Sequence, residues 1–342
     1  MIKNIPSGIL ECIPNFSEGQ DNSIINKIQK SIVRINGVKI LRSDKGFSAN
    51  RTVITFAGKP EAVIEAAFQS IKTAAELIDM QKHNGIHPRI GATDVVPLVP
   101  ICGIGMLEAV RISHLLANRV GSELNIPVYC YEKSALIPKR KKIENIRKGE
   151  YEGLKEKISK KQWKPDFGPA IFNAKNGATI IGARDILVAY NVNLNTRSAI
   201  IAAEIAARIR KSGKTIIENG QKKKVPGLLN SVKAIGWYIE EYQKTQVSMN
   251  LTNLKNTSMH KAFETIKEIA KDLDCKVTGS ELIGLVPEKA LVDAGLYYAS
   301  FLKSFDTKNK EALIKYAIEK LGLSSIKPFH PKERIIEYLL EI

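Results

Sequence analysis

Two of the chain's five histidines fall together in His83-Asn84-Gly85-Ile86-His87-Pro88-Arg89. Gly85 and Pro88 place this run in a loop between a helix and a strand. A histidine on an irregular loop is a better candidate for acid–base work than one on an apolar core face, because its charge responds to its neighbours near neutral pH. Two histidines four apart align on a metal only when a helix carries them, and Gly85 and Pro88 oppose a helix, so no metal site is expected. A polar turn without chemistry accounts for the same spacing about as well. A second polar loop, Ser43-Asp44-Lys45-Gly46-Phe47-Ser48-Ala49-Asn50-Arg51, carries more functional groups than a turn requires. It could set a carboxylate beside an imidazole, which orients and charges the ring; the plainer reading is a solvated hairpin loop. Asn15-Phe16-Ser17-Glu18-Gly19 ends the first predicted strand, where a ligand contact would fit, although a capping loop explains those residue types too. Gly103-Ile104-Gly105 opens a helix, but neither GxGxxG nor GK[ST] is present, which speaks against a nucleotide site. No GxSxG elbow and no cysteine nucleophile signature occurs.

The elements that must position these loops follow from hydrophobic period. Leu10–Pro14 reads as a short strand, and Asp21 caps a helix to about Ile35 with Ile24, Ile25, Ile28, Ile32 and Ile35 on one face. Val38–Leu41 and Thr52–Phe56 are strands, and Pro60 begins a helix through Met80. Asp94–Ile101 carries two prolines and is expected to be bent or at a sheet edge. A helix at Met106–Leu124 and a strand at Val128–Tyr131 follow. The second half repeats the order: a strand at Ile186–Leu194, a helix after Thr196, strands at Lys233–Ile239 and Gln246–Leu251, a helix at Thr257–Asp272, a strand at Lys276–Val286 and a helix at Pro287–Leu302. Both halves read βαββαβα. The predicted fold class is therefore α+β, a duplicated ferredoxin-like α/β sandwich in two subdomains, 1–185 and 186–342. Trp163–Gly177, rich in Pro and Gly and without period, is read as the linker loop.

Length and composition agree. A chain of 342 residues carries a prior of two domains, and 44% apolar with 25% charged residues excludes a wholly disordered chain. No apolar run reaches the roughly 18 residues of a membrane helix, and Met1–Leu10 lacks the apolar core of a secretory signal. Cys12, Cys102, Cys130 and Cys275 are scattered in apolar stretches, so buried thiols in a reducing cytoplasm are expected. The net charge of +17 is clustered: residues 133–161 hold eleven Lys/Arg against four Glu, and residues 208–224 seven against one. Such clusters fit a polyanionic partner or a merely solvated surface. Aromatics are only 6%, and no basic segment is interleaved with stacking rings as a single-strand nucleic-acid binder requires.

The motifs together resemble one family. Glu11-Cys12-Ile13-Pro14-Asn15-Phe16-Ser17-Glu18-Gly19 is similar to the opening of glutamate formiminotransferases. Asn50-Arg51-Thr52-Val53, His87-Pro88-Arg89-Ile90-Gly91-Ala92 with Asp94, Pro165-Asp166-Phe167-Gly168-Pro169, Gly182-Ala183-Arg184 and Gly279-Ser280-Glu281-Leu282-Ile283-Gly284 follow in the family's order, in register over nearly the whole chain. The resemblance implies transfer of a formimino group (HN=CH–) between N-formimino-L-glutamate and tetrahydrofolate, in histidine breakdown, on a duplicated ferredoxin-like fold. It assigns catalysis to His87 with Asp44 as the nearby carboxylate, and gives His83 no catalytic role. It assigns folate binding to Gly168-Pro169-Ala170-Ile171-Phe172-Asn173-Ala174-Lys175-Asn176-Gly177. Family members often carry Glu before the catalytic histidine, where this chain has Ile86, and in animals a cyclodeaminase domain follows, where this chain ends at Ile342. A standalone transferase handing its product to a separate enzyme is the expectation.

In that chemistry the folate N5 amine attacks the amidine carbon, and the glutamate amine leaves only when protonated, so a general acid is needed. His87 fits this role, and Asp44 would stabilise the imidazolium. Arg51 and Arg89 are candidates for holding carboxylates of the glutamate or of folate's tail. The basic excess would serve the anionic tail of polyglutamylated tetrahydrofolate. No metal, nucleic acid or membrane partner is expected, and a homodimer is. Two other readings stay open: a folate-dependent glutamate formyltransferase acting on 5-formyltetrahydrofolate, and an RNA-binding protein resting only on the charge.

Overall fold

The computed structural model describes residues 8–47, 49–85, 87–218, 220–240 and 242–341. Ile86, whose departure from the family pattern is noted above, and Ser48 of the second polar loop lie outside the described residues. The chain forms two units that divide between Asp185 and Ile186, each built of a sheet with helices packed on it.

Unit 1 opens with β1 (Ile9–Cys12) and its two-residue continuation β2 (Asn15–Phe16). Pro14 has no N–H to donate, so the strand breaks there. Asp21 then caps α1 (Asn22–Val33), accepting from the N–H groups of Ser23 and Ile24. Ile25, Ile28 and Ile32 recur at helical spacing and are the residues α1 buries. β3 (Val38–Gly46) and β4 (Arg51–Gly58) form a hairpin, followed by α2 (Pro60–Leu77) with proline in its first turn. β5 (Thr93–Cys102), α3 (Met106–Glu123), β6 (Val128–Cys130), the short helices α4 (Ile143–Arg147) and α5 (Leu154–Ser159), and β7 (Thr179–Ala183) complete the unit. Across the sheet the order is β3, β4, then β1 and β2 end to end, then β5, β7 and β6. The ladders are antiparallel as far as β5 and parallel from β5 through β7 to β6.

Two expectations are corrected here. β5 is neither at an edge nor short of partners; it lies between the first strand and β7. Its Pro97 is tolerated because the facing strand is itself broken: Cys12 pairs with Leu98 and Asn15 with Val95, so the Ile13–Pro14 gap falls opposite Pro97, whose carbonyl accepts from Ile13 N–H at 3.1 Å. Nor is Trp163–Gly177 a linker between units. The chain returns through it to insert β7 between β5 and β6, so the stretch is a loop internal to unit 1.

Unit 2 contains β8 (Val188–Leu194), α6 (Ala199–Ile209), a hairpin of β9 (Lys214–Glu218) and β10 (Gln221–Val225), then β11 (Val232–Ile239), β12 (Lys244–Leu251), α7 (Met259–Asp272) and β13 (Val277–Ile283). Helices α8 (Glu288–Ala299), α9 (Lys310–Leu321), α10 (Pro331–Arg334) and α11 (Ile336–Leu340) close it. Its main sheet runs β11, β12, β8, β13, antiparallel throughout. Val188, Tyr190, Val192 and Leu194 alternate onto the buried face and share one core with Ile205, Phe263, Ile266 and Leu291 of the helices. In order of appearance, the strands of this sheet and the first four of unit 1 (β1 with β2 counted as one) follow the same sequence: second, third, first, fourth.

The internal loop of unit 1 is anchored by charge. Asp166 accepts from Cys130 N–H at 2.8 Å and from Arg140 Nη1 at 2.5 Å, while Arg140 Nη2 donates to the carbonyls of Gln162 (3.2 Å) and Lys164 (2.6 Å). Both side chains are almost wholly buried, at 2% and 5% exposure. Arg140→Met should therefore leave Asp166 buried without its countercharge and cost about 3–5 kcal/mol, read as a lowered urea midpoint; a loss under about 1 kcal/mol would show that the pair is not what holds the loop.

Candidate active site

The site is built where three loops of unit 1 meet. Asn50 stands just before β4 with φ of 44°, a left-handed conformation that asparagine tolerates. Its Oδ1 accepts from Gly19 N–H at 2.8 Å and its Nδ2 donates to the Asn84 carbonyl at 2.9 Å. Its own carbonyl accepts from His83 Nε2 at 2.9 Å. Ser17 Oγ donates to the Gly91 carbonyl at 2.7 Å, and Thr52 Oγ1 to the Glu18 carbonyl at 2.5 Å. The segments around Asn15–Gly19, Asn50–Thr52 and His83–Ala92 are thus tied into one structure. Ser17, Glu18, Asn50 and His83 also line a cleft of about 370 Å³ that Asp79 and Lys82 share.

His87 lies at this junction. Its Nδ1 is 2.8 Å from the Pro88 carbonyl and its Nε2 2.7 Å from Arg51 Nη1. A carbonyl only accepts and a guanidinium only donates, so the contacts fix a neutral ring with its proton on Nδ1 and the Nε2 lone pair turned to Arg51. Burial, with the positive charges of Arg51 and Arg147, pushes the imidazole down from 6.5 to about 4; the Pro88 carbonyl and Asp94 act the other way. Asp94 heads β5 and is buried. Its Oδ1 accepts from Ile90 N–H at 3.0 Å and its Oδ2 from Arg147 Nη2 at 2.5 Å. Arg51 is itself lowered to about 10, chiefly by burial. The Nε atoms of Arg51 and Arg147 and the Thr93 hydroxyl are buried without a partner.

The other candidate residues are placed differently from expectation. Asp44 is not the carboxylate of His87: it sits on β3 in an ion pair with Arg42 at 2.6 Å and is half-exposed. The acidic group acting on His87 is Asp94. Arg89 is buried and committed, donating to both Glu152 oxygens (2.6 and 2.9 Å), to Glu150 (3.1 Å) and to His83 Nδ1 (3.2 Å). Little of it is left for a substrate carboxylate. His83, held between Arg89 and Asn50, has both ring nitrogens occupied and serves as a brace.

The Gly168–Gly177 stretch reaches the same place by its far end. Gly177 bridges to Gly91, the Asn176 carbonyl accepts from Ala92 N–H at 3.0 Å, and Ala178 N–H donates to the Ile90 carbonyl at 3.0 Å. Its middle is open: Ala170, Ile171, Ala174 and Lys175 are exposed, and Phe172 is half-buried against Tyr151, ring centroids 5.6 Å apart. Asn173 Oδ1 caps Asn176 N–H at 2.9 Å, while Asn176 Oδ1 is buried without a donor. Gly168 and Pro169 at the near end pack close to α3: a Cβ on Gly168 would lie 2.4 Å from the Ile126 carbonyl and 3.0 Å from Gly121 Cα.

The basic segment 133–161 is partly structural. Arg140 and Arg147 are in ion pairs, and the Lys157 ammonium donates to the carbonyls of Asn145 (3.1 Å), Ile146 (2.5 Å) and Lys148 (2.8 Å). In the other segment, Lys222, Lys223 and Lys224 are exposed on β10. Cys12, Cys130 and Cys275 are buried thiols, but Cys102, at the end of β5, is exposed. Among the described residues no helix is long and apolar enough to cross a membrane, and no three His, Cys, Asp or Glu side chains gather to hold a metal ion.

Residues 9–184 match the model of the formiminotransferase domain, N-terminal subdomain, and residues 189–341 that of the formiminotransferase domain. The chain belongs to the formiminotransferase domain family. Over 335 residues it is 45% identical to a formimidoyltransferase-cyclodeaminase of Mus musculus, an alignment covering 98% of this chain and 60% of that protein. It is 43% identical over 303 residues to a glutamate formimidoyltransferase of Thermoplasma acidophilum and 44% identical over 298 residues to one of Streptococcus pyogenes, covering 88% and 87% of this chain and 95% of each relative. The chain thus spans about 60% of the length of the cyclodeaminase-named relatives it matches. Among solved structures, a microcompartments protein from Desulfitobacterium hafniense aligns with 81% of the chain and 94% of its own at 7% identity and a TM-score of 0.23.

The charged residues near His87 that reading the sequence did not place there are Asp94 and Arg147. The signal for Arg147 was present: residues 133–161 contain nine lysines and only two arginines, Arg140 and Arg147, and those two form the buried ion pairs. Arginine's planar fork suits such pairs better than an ammonium.

Two measurements follow. Gly168→Val should destabilise the protein outright, since Gly168 has φ of 77° and no room for a Cβ, rather than alter ligand binding in an intact fold. An unchanged melting temperature would overturn this. His87, neutral in the folded chain down to about pH 4 while the unfolded state takes up its proton near 6.5, makes the folded state lose stability as pH falls through that window, because the unfolded state binds more protons. His87→Gln lacks this term, so urea midpoints at pH 7.5 and pH 5 should fall less for the variant than for the native chain. An equal fall in both would show that His87 titrates normally.

Proposed function

We propose that this chain is a glutamate formimidoyltransferase, moving the formimino group between N-formimino-L-glutamate and N5 of tetrahydrofolate in histidine degradation, with His87 as general acid and base. The observation that carries the reading is His87 itself. It is a neutral imidazole with a fixed tautomer, its Nε2 the working nitrogen, set 2.7 Å from a buried guanidinium in a family whose relatives of similar length are named for this activity.

Tetrahydrofolate supplies the nucleophilic N5 amine as co-substrate. His87 Nε2 takes the proton that this amine sheds on attacking the amidine carbon, and returns it to the departing glutamate nitrogen, which leaves as a neutral amine. Asp94, rather than Asp44, offsets the transient imidazolium charge through the low-dielectric interior. Arg51 faces a carboxylate of the glutamate; Arg89 instead braces the loop. The stretch from Gly168 to Gly177 is the folate contact, and its features suit one: the half-buried Phe172 ring offers a face to a flat pterin, and the buried Asn176 Oδ1 lacks a donor that a ring N–H or amino group could supply. The shared strand order of the two units is read as duplication of a ferredoxin-like unit, 1–185 and 186–342 being the two formiminotransferase subdomains. The clustered basic charge of the chain suits an anionic polyglutamate tail. A cytoplasmic homodimer is the proposed setting.

The test is tetrahydrofolate-dependent consumption of N-formimino-L-glutamate, run beside N-formyl-L-glutamate. The native chain should prefer the formimino donor, and His87→Ala should lower turnover by about two to four orders of magnitude. Full activity in the variant would remove His87 from the mechanism; inactivity of the native chain on the formimino donor, at any folate concentration, would remove the function.

A further inference from the structure

Arg51 and His87 hold each other in a state that cannot perform acid–base chemistry. With Nδ1–H on the Pro88 carbonyl and the Nε2 lone pair on Arg51 Nη1, the ring has no free acceptor. The surroundings are also one negative charge short. The charged groups acting on the ring are Arg51 from β4, Arg147 from α4 and Asp94 from β5. Both Asp94 oxygens are committed, to Arg147 and to Ile90 N–H, so Arg51 feels its charge only at a distance and has no carboxylate in direct contact. Among the described residues Arg51 has no ion pair, and its Nε–H is buried without an acceptor. A half-buried guanidinium with a buried orphan donor and no direct counter-ion is incomplete, and the ligand that completes it is a planar monoanion able to take two donors side by side.

We propose that Arg51 is a carboxylate-operated cover on His87: a substrate carboxylate takes over the guanidinium's donors, draws Nη1 off Nε2, and so makes His87 a base only when substrate is in place. This rests on the assignment of a glutamate derivative as substrate and adds a coupling to it. The carboxylate does more than anchor. It neutralises one of the two positive charges that, with burial, hold the imidazole down, and frees the lone pair in the same motion, so binding and activation are linked and reciprocal. With no ligand, His87 stays covered, and the Arg51 contact adds to burial in holding its proton affinity down. With the anion present, the Arg51 charge no longer opposes protonation, and the ring's proton affinity rises toward its ordinary range.

The test uses the intact chain and needs no formimino chemistry. The His87 ring signal, assigned by its loss in His87→Gln, is titrated by NMR with and without saturating glutarate, a dicarboxylate that lacks the reactive nitrogen. Glutarate should raise the proton affinity of His87 about ten-fold or more. In Arg51→Gln the ring should already titrate higher without ligand and respond little to glutarate, while Arg51→Lys, which keeps the charge, should fall between the two. The proposal is overturned if glutarate shifts the signals of unit 1 without moving the His87 midpoint, if glutarate does not bind at all, or if Arg51→Gln leaves the midpoint where the native chain has it. Because the native-chain titration stands without the variants, a variant that fails to fold does not shelter the idea. Activity on N-formimino-L-glutamate with an unmoved His87 midpoint would leave the function standing and the cover refuted.

Discussion

The site depends on one residue whose backbone turns the left-handed way. Asn50 makes three hydrogen bonds with its side chain and carbonyl, one to the loop ending at Gly19 and two to the loop carrying His83 and Asn84. Those loops are far apart in sequence, and Asn50 ties them beyond the point where Ser17 N–H meets the Ala92 carbonyl. Asparagine suits the position because it reaches positive φ at modest strain and offers both a donor and an acceptor. The arrangement also needs the glycine at 85, since a Cβ there would lie 2.4 Å from the Ala49 carbonyl. Once Asn50 is fixed, Arg51 at the head of β4 and His87 in the next loop have little freedom. Their 2.7 Å contact follows from the knot beside them.

The same economy governs charge. A net charge of +17 reads as a surface property, yet several cations of segment 133–161 stabilise the interior. Arg140 and Arg147 answer single carboxylates, and Lys157 binds three backbone carbonyls that end helix α4 and its following turn. Each leaves a buried polar group satisfied that would otherwise cost about 1–3 kcal/mol. The exposed lysines, among them Lys222 and Lys224 of β10, make up the solvated part of the charge, while Arg51 at the site itself is half-buried.

Much of this was legible in the sequence, and the parts that were not share a cause. The amphipathic helices announced themselves: α1 with Asp21 at its cap and isoleucines at helical spacing, and α7, expected over Thr257–Asp272 and found at Met259–Asp272. The paired strands β11 and β12 did so by alternation. β7 did not, because five residues, Thr-Ile-Ile-Gly-Ala, are too few for any period to show, and a strand buried on both faces carries no alternation. Missing β7 made the preceding loop look like a boundary. The interior place of β5 was hidden because its Pro97 is tolerated through the gap in a strand some eighty residues away. Similarly, Asp44 was the natural choice for His87 on residue type, since it lies in a polar loop, whereas Asp94 looks like the first residue of an apolar strand. Sequence spacing says which groups exist; which carboxylate meets which imidazole is decided by the register of β3 and β5.

That substitution of one carboxylate for another alters the chemistry of the histidine. An exposed Asp44 already paired to Arg42 could be detached and reattached at small energetic consequence, as surface ion pairs generally can. Asp94 cannot: it is buried, and its oxygens are held by Ile90 N–H from the histidine loop and by Arg147 from α4. It therefore acts on His87 as a fixed charge and not as a hydrogen-bonding partner. What can change is the arginine on the other side of the ring. Of the influences on this imidazole, burial and Asp94 are built into the fold, whereas the Arg51 guanidinium, with its Nε–H unsatisfied, is the one whose hydrogen bonding an added anion would complete.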